Sequence, residues 1–454
     1  MKMSPPRSSS SCKQSKGSQG REGKQSDRKN SAAYHPRRKA QDQQRHQLVE
    51  DRNQIDVSDT IPIALQQLLL NVFRAALLTP SNSLNFEAQT QGQNQNPDAE
   101  EKQEEKEEEP LDTKFLIQTI KSHLYNRDFD SAFADADEKL LRAYALRWSA
   151  ARALGYAGLF KSLFKILFED ESVLRSTHVI CIGGGAGAEI VALAAAWRDL
   201  MDDGVIAGAQ KRLPDVLEAV ALNDIKDNQG GGSTSNMPKQ KQMVQQSDTS
   251  SSLSITAVDI ADWSTVVKRL SSTILSTTVI GSKSHPAPLL PTSTSSGDRT
   301  HSSHFTVDFK RFDVLTLSDP DLASLFHSQR TNIVTLMFTL NELFSTSMSK
   351  ATSFLLRTTD LLAQDTILLV VDSPGSYSTL KLNKSTGEQQ ERQYPMKFLL
   401  DHTLLSVTKG KWEKLYSQDS RWWRRDASRL WYDVGEGAGL EDMRFQIHVY
   451  RRLQ

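Results

Sequence analysis

The fold of this chain can be predicted from one segment, His178-Val179-Ile180-Cys181-Ile182-Gly183-Gly184-Gly185-Ala186-Gly187-Ala188-Glu189. An apolar run of strand length, Val179–Ile182, stops at three consecutive glycines, and an Ala-rich helical run follows from Ala188 to about Met201. A strand, a glycine loop and a helix in this order form the first unit of a nucleotide-binding α/β sheet. The glycines allow positive φ and remove Cβ atoms where a ligand would lie against the backbone, and the helix start presents unpaired N–H groups.

The glycine spacing fits two kinds of ligand. Gly183, Gly185 and Gly187 form a GxGxG pattern typical of S-adenosylmethionine-dependent methyltransferases. Gly183, Gly185 and Ala188 equally satisfy the dinucleotide pattern G-x-G-x-x-G/A. Glu189 favours the methyl donor, because an acid at a helix start suits a cationic methionine moiety and would be unfavourable beside a pyrophosphate. A glycine-rich turn without any ligand is the structural alternative.

The composition limits the class of protein. The chain has 454 residues, zero formal net charge and only 38% apolar residues, with several Ser/Gln/Glu/Lys-rich tracts. We expect one folded domain of roughly 250–300 residues with disordered arms and insertions. The two cysteines, Cys12 and Cys181, exclude a disulfide scaffold and a cysteine zinc site and favour a reducing compartment. No run approaches the ~18 apolar residues of a membrane helix, and the basic N-terminus lacks the hydrophobic region of a secretory signal.

Shifts in composition divide the N-terminal part of the chain. Residues 1–58 are predicted to be a disordered basic arm, with nuclear targeting or attraction to nucleic acid as possible roles. Residues 59–80 contain an amphipathic helical pattern, Ile61–Leu78, which we expect to dock on the catalytic domain. Residues 81–110 read as a disordered acidic linker.

The main domain is predicted to span residues 111–454. Its N-terminal part, 111–170, has a helical pattern. Two low-complexity segments, near 226–252 and 281–303, look like flexible insertions in loops of a sheet.

Six runs in this domain predict strands that alternate with helices: Val179–Ile182, Ile255–Ile260, Phe312–Leu315, Asn332–Leu340, Thr366–Val371 and Arg444–Arg451. Asn332–Leu340 is apolar on both faces, as in a covered parallel sheet, whereas Arg444–Arg451 alternates like an edge strand. The predicted fold class is α/β, with one mainly parallel Rossmann-like sheet covered by helices on both faces.

Ligands of such sheets bind beyond the carboxyl ends of the strands, where this chain carries acids. Asp259 ends the predicted second strand, and its carboxylate could accept hydrogen bonds from both ribose hydroxyls; Asp224 competes for this role. Trp263 could stack on an adenine face, with core packing as the alternative. Asp313 could bind the adenine amino group, or be a surface acid at a strand end.

Asn341 and Glu342 end the predicted fourth strand, where a substrate would lie. Their alternative role is to cap the following helix, for which Asn is well suited. Asp372 ends the fifth strand, but the Ser-Pro-Gly after it favours a turn.

Two groups of arginines and aromatic residues are candidates for contact with a substrate. Arg147, Trp148 and Arg152 precede the glycine loop and could bind substrate phosphate or form a lid, or be surface and core residues. Arg421 and Trp422 belong to an aromatic and arginine-rich region, residues 394–432, which could stack on bases and pair with phosphates. A hairpin at the sheet edge is the structural alternative.

Several segments together resemble one family. In chain order they are Arg147-Trp148-Ser149, Arg152-Ala153-Leu154, Gly183-Gly184-Gly185-Ala186-Gly187-Ala188-Glu189, Asp259-Ile260-Ala261-Asp262-Trp263, Asn341-Glu342-Leu343-Phe344, Asp419-Ser420-Arg421-Trp422 and Leu440-Glu441-Asp442-Met443-Arg444-Phe445-Gln446-Ile447-His448-Val449-Tyr450-Arg451. Their order is similar to that in the fungal 25S ribosomal RNA (uracil-N3)-methyltransferases, class I enzymes that use S-adenosylmethionine. The likeness covers roughly residues 112–452, interrupted by the low-complexity insertions.

The resemblance implies a class I methyltransferase with a seven-stranded type of sheet, S-adenosylmethionine as cofactor and a uracil of ribosomal RNA as substrate. It also implies ribosomal RNA or a pre-ribosomal particle as partner and a location in the nucleus, with the nucleolus as one candidate, and the cytoplasm. No metal and no membrane contact are expected. The predicted donor site comprises Gly183, Gly184, Gly185, Gly187, Glu189, Asp259, Trp263 and Asp313, of which the resemblance itself carries Gly183, Gly185, Gly187 and Asp259.

A mechanism can be stated as a hypothesis. Uracil N3 carries a proton and is a poor nucleophile until that proton leaves, so a carboxylate within hydrogen-bond reach would help. We assign this role to Glu342 and the orientation of the base to Asn341. Three other functions remain open: a protein methyltransferase, a non-catalytic RNA-binding module with a decayed methyltransferase fold, and a nicotinamide dehydrogenase.

Overall fold

The computed structural model describes residues 59–78, 111–126, 128–168, 176–204, 251–291, 303–327, 331–375, 377–383 and 389–453. In chain order the helices are α1 (Ile63–Leu78), α2 (Thr113–Tyr125), α3 (Glu138–Tyr144), α4 (Ala150–Phe168), α5 (Ala188–Asp202), α6 (Ser264–Ile274), α7 (Asp319–His327), α8 (Leu340–Thr346), α9 (Met348–Leu361) and α10 (Met396–Asp401). The strands are β1 (Ser176–Ile182), β2 (Ser251–Asp259), β3 (Ser303–Arg311), β4 (Thr331–Met337), β5 (Ile367–Asp372), β6 (Tyr377–Asn383), β7 (Gln389–Pro395), β8 (Trp412–Trp423) and β9 (Met443–Arg452).

Seven of the strands form one sheet in the order β3-β2-β1-β4-β5-β9-β8. The first five strands are parallel, and β9 and β8 are antiparallel additions at one side. A separate hairpin consists of β6 and β7. The prediction of a mainly parallel α/β sheet with seven strands is therefore confirmed.

The sheet is buried on both faces in its centre, where β4 and β5 have no exposed residue. Successive residues of β1 point to opposite faces, so that Val179 and Cys181 join one apolar core while Ile180 and Ile182 join the other. Helices α1, α2, α4, α5 and α6 build the first core, and α7 to α10 build the second. This two-sided cover explains the continuous apolar runs in the sequence.

Helix α1 is part of the first core. Its apolar face packs mainly against α6, α5 and α4, and its fully buried large side chains are Leu65, Leu68, Leu69, Leu70, Val72, Phe73 and Leu77. Two buried arginines bind its last turn: Arg269 Nε donates to the Ala76 carbonyl at 2.7 Å, and Arg142 Nη2 donates to the Leu77 carbonyl at 2.8 Å. These bonds satisfy carbonyls that a helix end leaves without intrahelical partners.

The structure differs from the predicted strands in several places, and the predicted strand Asn332–Leu340 already ends as β4 at Met337, with α8 beginning at Leu340. Phe312–Leu315 is not a strand; the strand is β3, just before it, and the Phe312 N–H donates to the Asp259 carbonyl at 2.9 Å. The polar alternation of β3 hid it, because this edge strand exposes many of its residues. The run Arg444–Arg451 is not at the edge either, because β9 pairs with both β5 and β8.

In the segment predicted as a flexible insertion near 281–303, the described residues 281–291 pack against the core. Leu289 and Leu290 are buried, and the Leu290 N–H donates to the Ile274 carbonyl at 3.2 Å. The predicted basic arm, the acidic linker, Asp224 and nearly all of the insertion near 226–252 lie outside the described residues. None of the described helices is long and apolar enough to cross a lipid bilayer.

Candidate active site

A pocket opens at the carboxyl ends of β1, β2 and β4, which is where we predicted from the sequence that a ligand binds. Gly183 follows β1, Asp259 ends β2, and Glu342 lies in the first turn of α8 after β4; all three line the pocket. Arg152 and Tyr144 line it from the helical segment before the sheet. Residues far apart in the chain meet here because parallel strands bring their carboxyl ends to one edge.

The glycine loop connects β1 to α5 with the predicted backbone. Gly183 and Gly187 have φ values of +77° and +82°, which residues with a Cβ rarely adopt. A Cβ on Gly185 would lie 2.1 Å from Cδ1 of Trp263, and one on Gly187 would lie 2.1 Å from Cδ1 of Leu270. The glycines therefore let other protein side chains approach the loop, and of the four predicted glycines only Gly183 lines the pocket.

Asp259 is tied to the glycine loop. Its carboxylate accepts hydrogen bonds from the backbone N–H of Gly185 at 3.1 Å and of Ala261 at 3.3 Å. Burial raises the pKa of Asp259 to about 6, while these N–H groups oppose the rise. The predicted competitor for the same role, Asp224, is outside the described residues, so the choice between them stays a prediction.

Glu189 lies in the first turn of α5 and is buried, with 3% of its surface exposed. Burial raises its pKa to about 8, and the Arg152 charge opposes this rise. Its Oε1 has no hydrogen-bond partner among the described residues. A buried carboxyl oxygen without a partner, beside a pocket that it lines, is suited to a cationic or N–H-bearing ligand.

Glu342 is exposed to the pocket. Although the side chain is accessible from the pocket, the concave surroundings reduce the hydration of its carboxylate and raise its pKa to about 7, with Arg152 opposing the rise and the negative charges of Asp372 and Asp259 adding to it. Neighbouring Asn341 does not line the pocket, and its buried Oδ1 has no partner among the described residues. The Asn341 N–H donates to Asp372 at 2.9 Å, so Asp372 fixes the start of α8, which is a structural role other than the predicted turn at Ser-Pro-Gly.

Arg152 is the basic residue that lines the pocket within the described part of the chain. Its guanidinium group lies 4.7 Å from the ring centre of Phe338 and donates to the Tyr144 hydroxyl at 3.0 Å. Phe338 has a φ of +59°, which is strained for a residue with a side chain. No sequence signal marked Phe338 or Tyr144, because a positive φ at Phe and a contact between distant helices leave no local pattern.

The two residues predicted to contact an adenine, Trp263 and Asp313, both line the pocket, and each also has a structural contact. Trp263 is only 2% exposed and packs near Phe133 and Tyr144, with ring centres 6.5 and 5.7 Å apart. Asp313 lines the pocket, but its carboxylate also closes a turn by accepting from the Leu315 N–H at 2.9 Å. Both retain a surface toward the pocket.

The remaining predicted substrate residues lie outside the pocket lining. Arg147 is buried and bonded to Glu441, and Trp148 packs on Tyr144 with ring centres 4.8 Å apart. Arg421 and Trp422 lie on β8, at the outer edge of the sheet. Of this predicted group the structure brings only Arg152 to the pocket. In the part of the chain that the structure describes, no group of His, Cys, Asp and Glu could hold a metal ion.

Two solved structures show a weak overall likeness. The 1,6-didemethyltoxoflavin-N1-methyltransferase of Burkholderia thailandensis has 12% identity and a TM-score of 0.30, covering 76% of this chain and 93% of that chain. The magnesium protoporphyrin IX methyltransferase of Synechocystis PCC 6803 has 9% identity and a TM-score of 0.29, covering 76% and 99%.

Sequence comparison is more specific. A family described as "Putative SAM-dependent methyltransferase" matches residues 98–451. The 25S rRNA (uridine(2843)-N(3))-methyltransferase of Saccharomyces cerevisiae is 32% identical over 342 residues, covering 74% of this chain and 76% of that protein. With the strand order and the glycine loop already described, this chain belongs to the family of S-adenosylmethionine-dependent methyltransferases.

Proposed function

We propose that this chain methylates N3 of a uracil in large-subunit ribosomal RNA. The observation that carries the choice of substrate is the similarity to the yeast 25S rRNA (uridine-N3)-methyltransferase over 74% of the chain. The position of Glu342 in the pocket supports the chemistry, because a group able to take up a proton lies beside the glycine loop.

The residues around the glycine loop fit the methyl donor, which supplies an electrophilic methyl group on a positively charged sulfur. Asp259 would hold the ribose hydroxyls, and the unpartnered Oε1 of Glu189 would accept a hydrogen bond from the methionine ammonium group. Trp263 and Asp313 would contact the adenine. Arg152, the cation among these acids, would bind either the donor carboxylate or a substrate oxygen.

Glu342 would remove the N3 proton. A general base works best when its pKa lies near the working pH, and the pKa of Glu342 is about 7. Asn341 is the weaker part of the predicted pair because it does not line the pocket; its N–H bond to Asp372 gives it a positioning role at the start of α8. The base must be unpaired or flipped to reach the site, since N3 lies on the pairing edge of uracil.

The proposed substrate also implies where the protein works. Large-subunit RNA matures as pre-ribosomal particles, so we place the protein in the nucleus, with the nucleolus as one candidate, and in the cytoplasm. Such a particle, or the RNA alone, is the proposed partner.

The test is a methylation assay with the full chain, labelled S-adenosylmethionine and two acceptors, unmodified large-subunit RNA and the ribosomal proteins stripped from it. We expect label in the RNA, in a nucleoside that elutes with N3-methyluridine. Label confined to protein would replace the proposal with a protein methyltransferase. Donor binding without transfer to either acceptor would favour a decayed, non-catalytic module.

A further inference from the structure

A group of exposed or half-buried aromatic rings and exposed arginines lies outside the pocket, at the end of β7, on and just after α10, and at the ends of β8 and β9. We call it the aromatic–arginine surface; its members are Tyr394, Phe398, His402, Trp422, Arg424 and Arg444. The chemistry assigned to the pocket uses none of them.

Three of the rings form a ladder. The ring centres of Tyr394 and Phe398 are 5.5 Å apart with planes inclined by 19°, and those of Phe398 and His402 are 6.1 Å apart with planes inclined by 5°. Phe398, in the middle, is 51% exposed. An aromatic side chain this exposed contributes little to the core, and a parallel arrangement of rings is one that a nucleic-acid base can extend by stacking at either end.

Trp422 is the second element of the surface. It is 52% exposed, and the guanidinium groups of Arg424 and Arg444 lie 5.1 and 5.9 Å from its ring centre. An exposed tryptophan accompanied by two cations offers a face for a base and charges for the adjoining phosphates. Its neighbour Trp423 packs inward near Gly155 of α4, so Trp422 is free of that structural role.

The ladder and Trp422 lie on the same face of the sheet. Helix α10 packs on the face that Tyr450 of β9 occupies, since the Tyr450 hydroxyl donates to Asp401 at 2.7 Å. Arg444 is six residues before Tyr450 on β9 and therefore points to the same face, and Arg444 pairs with Trp422. The ion pair between Lys397 of α10 and Asp419 of β8, at 2.5 Å, joins the two parts.

The surface is linked to the pocket through a short series of contacts. Gln446, two residues after Arg444 on the same face, donates to the Ser373 carbonyl at 2.8 Å. Ser373 follows Asp372, which binds the N–H of Asn341 beside Glu342. A second link is the packing of α8 against α10, because α8 carries Glu342. The surface therefore adjoins the wall of the pocket that carries the proposed base.

We propose that the aromatic–arginine surface binds the single-stranded RNA that flanks the target uridine. This inference rests on the proposed function, because it takes RNA as the substrate. The bases of this flanking RNA stack on the ladder and on Trp422, while Arg424 and Arg444 contact the phosphates of the RNA. Holding the flanking strand there presents one unpaired base to the pocket and contributes substrate affinity without taking part in the methyl transfer.

The test compares matched single variants of the full chain by fluorescence anisotropy with a labelled, unstructured, uridine-containing oligoribonucleotide. Phe398→Ala and Trp422→Ala each remove one exposed ring of the surface. Phe115→Ala and Trp431→Ala are the controls, because these rings are similarly exposed, at 63% and 55%, but belong to other parts of the molecule. Titration with S-adenosylmethionine verifies that every variant keeps its fold.

We expect Phe398→Ala and Trp422→Ala to weaken RNA binding by about tenfold each, as for the loss of one base–aromatic stack. The controls should bind as the wild type does. Arg444→Gln should reduce the slope of log affinity against log salt by about one, whereas the two ring variants should leave the slope unchanged.

Equal RNA affinity in the surface variants and the controls would overturn the assignment of the surface. If the wild type methylates ribosomal RNA and the variants do so with unchanged KM, only this inference fails. If the wild type neither binds nor methylates RNA, the proposed function fails together with it.

Discussion

Gly185 illustrates how a glycine can be essential to a site that it does not touch. The pocket lining omits Gly185, yet the absence of its Cβ allows Trp263 and Asp259 to approach the loop, and its N–H binds the Asp259 carboxylate. The loop therefore aligns the acid that would hold the ribose. A side chain at this position would displace two pocket residues together.

We predict that Gly185→Ala weakens S-adenosylmethionine binding by about tenfold or more, because its Cβ would lie 2.1 Å from Trp263 and overpacking of this kind costs ~1–3 kcal/mol. Isothermal titration calorimetry with the full chain measures it. Gly439→Ala is the matched control, since no atom lies within 4 Å of its added Cβ. Equal affinities in the two variants would contradict this role of Gly185.

Burial of Glu189 disfavours its ionised form and makes the stability of the donor-free protein depend on pH. Its folded pKa of about 8 exceeds the usual Glu value of about 4.3, so the folded state binds its proton more tightly than the unfolded state does. The resulting stabilisation is complete below about pH 4 and is lost as the pH rises through about 8. Glu189→Gln removes the titration while keeping the shape of the side chain.

The donor-free Glu189→Gln variant should therefore melt at an increasingly higher temperature than the wild type as the pH rises from about 5 to about 8, with a difference in slope of at most ~1.4 kcal/mol per pH unit. Thermal unfolding of both proteins across this range provides the measurement. Parallel curves would contradict the raised pKa of Glu189.

The site residues predicted from sequence are those that follow strands. Gly183, Asp259 and Glu342 could be placed together because the ends of parallel strands share an edge. Phe338 and Tyr144 could not, since one depends on a strained backbone and the other on a contact between separate segments. Arg147 lies outside the pocket lining, in a buried ion pair with Glu441 whose local sequence pattern is the same as that of a substrate-binding arginine.

At the scale of the elements, the order of apolar runs predicted the parallel core of the sheet but not its borders. β3 is a polar edge strand, and β8 reads as a mixture of charge and aromatics, so neither resembles a buried strand. Because β8 was not predicted, β9 looked like the last strand of the sheet, although it pairs with β8 as well as with β5. Edge strands are poorly predicted because only one of their faces needs to be apolar.

Helix α1 was expected to dock on the catalytic domain, and it contributes much of one core. Burial of seven large apolar side chains at ~1.5–3 kcal/mol each amounts to roughly 10–21 kcal/mol as an upper estimate, which is comparable to the whole net stability of ~5–15 kcal/mol of a typical domain. The carbonyls at its C-terminal end also accept hydrogen bonds from two buried arginines. Removal of the helix would take these acceptors away from two buried charges.

A chain that begins at residue 80 should therefore be unfolded or aggregated, whereas one that begins at residue 59 should melt cooperatively and bind S-adenosylmethionine. Thermal unfolding followed by circular dichroism, together with titration of S-adenosylmethionine, measures the stability and the donor binding of the two proteins. A stable, donor-binding chain without α1 would mean that the helix is an accessory.

At the scale of the whole molecule, the two sides of the sheet have different tasks in this account. The side with α1, α4 and α5 provides the stable core and contributes Arg152 and the glycine loop to the pocket. The side with α8 and α10 carries Glu342 and, next to it, the aromatic–arginine surface. The donor would therefore bind mainly against one side and the RNA mainly against the other, with the pocket between them.

The most direct test of the central claim is the single-turnover rate of N3-methyluridine formation in large-subunit RNA, at saturating donor, for the wild type and Glu342→Gln. Because the pKa of Glu342 is about 7, the wild-type rate should rise between about pH 6 and 8 and then level off. Glu342→Gln should be slower by about 10²–10⁴-fold, with no such rise and with unchanged donor affinity. Asp313→Asn, a pocket control assigned to donor binding, should keep the wild-type pH profile. An unchanged rate and pH profile in Glu342→Gln would contradict the account.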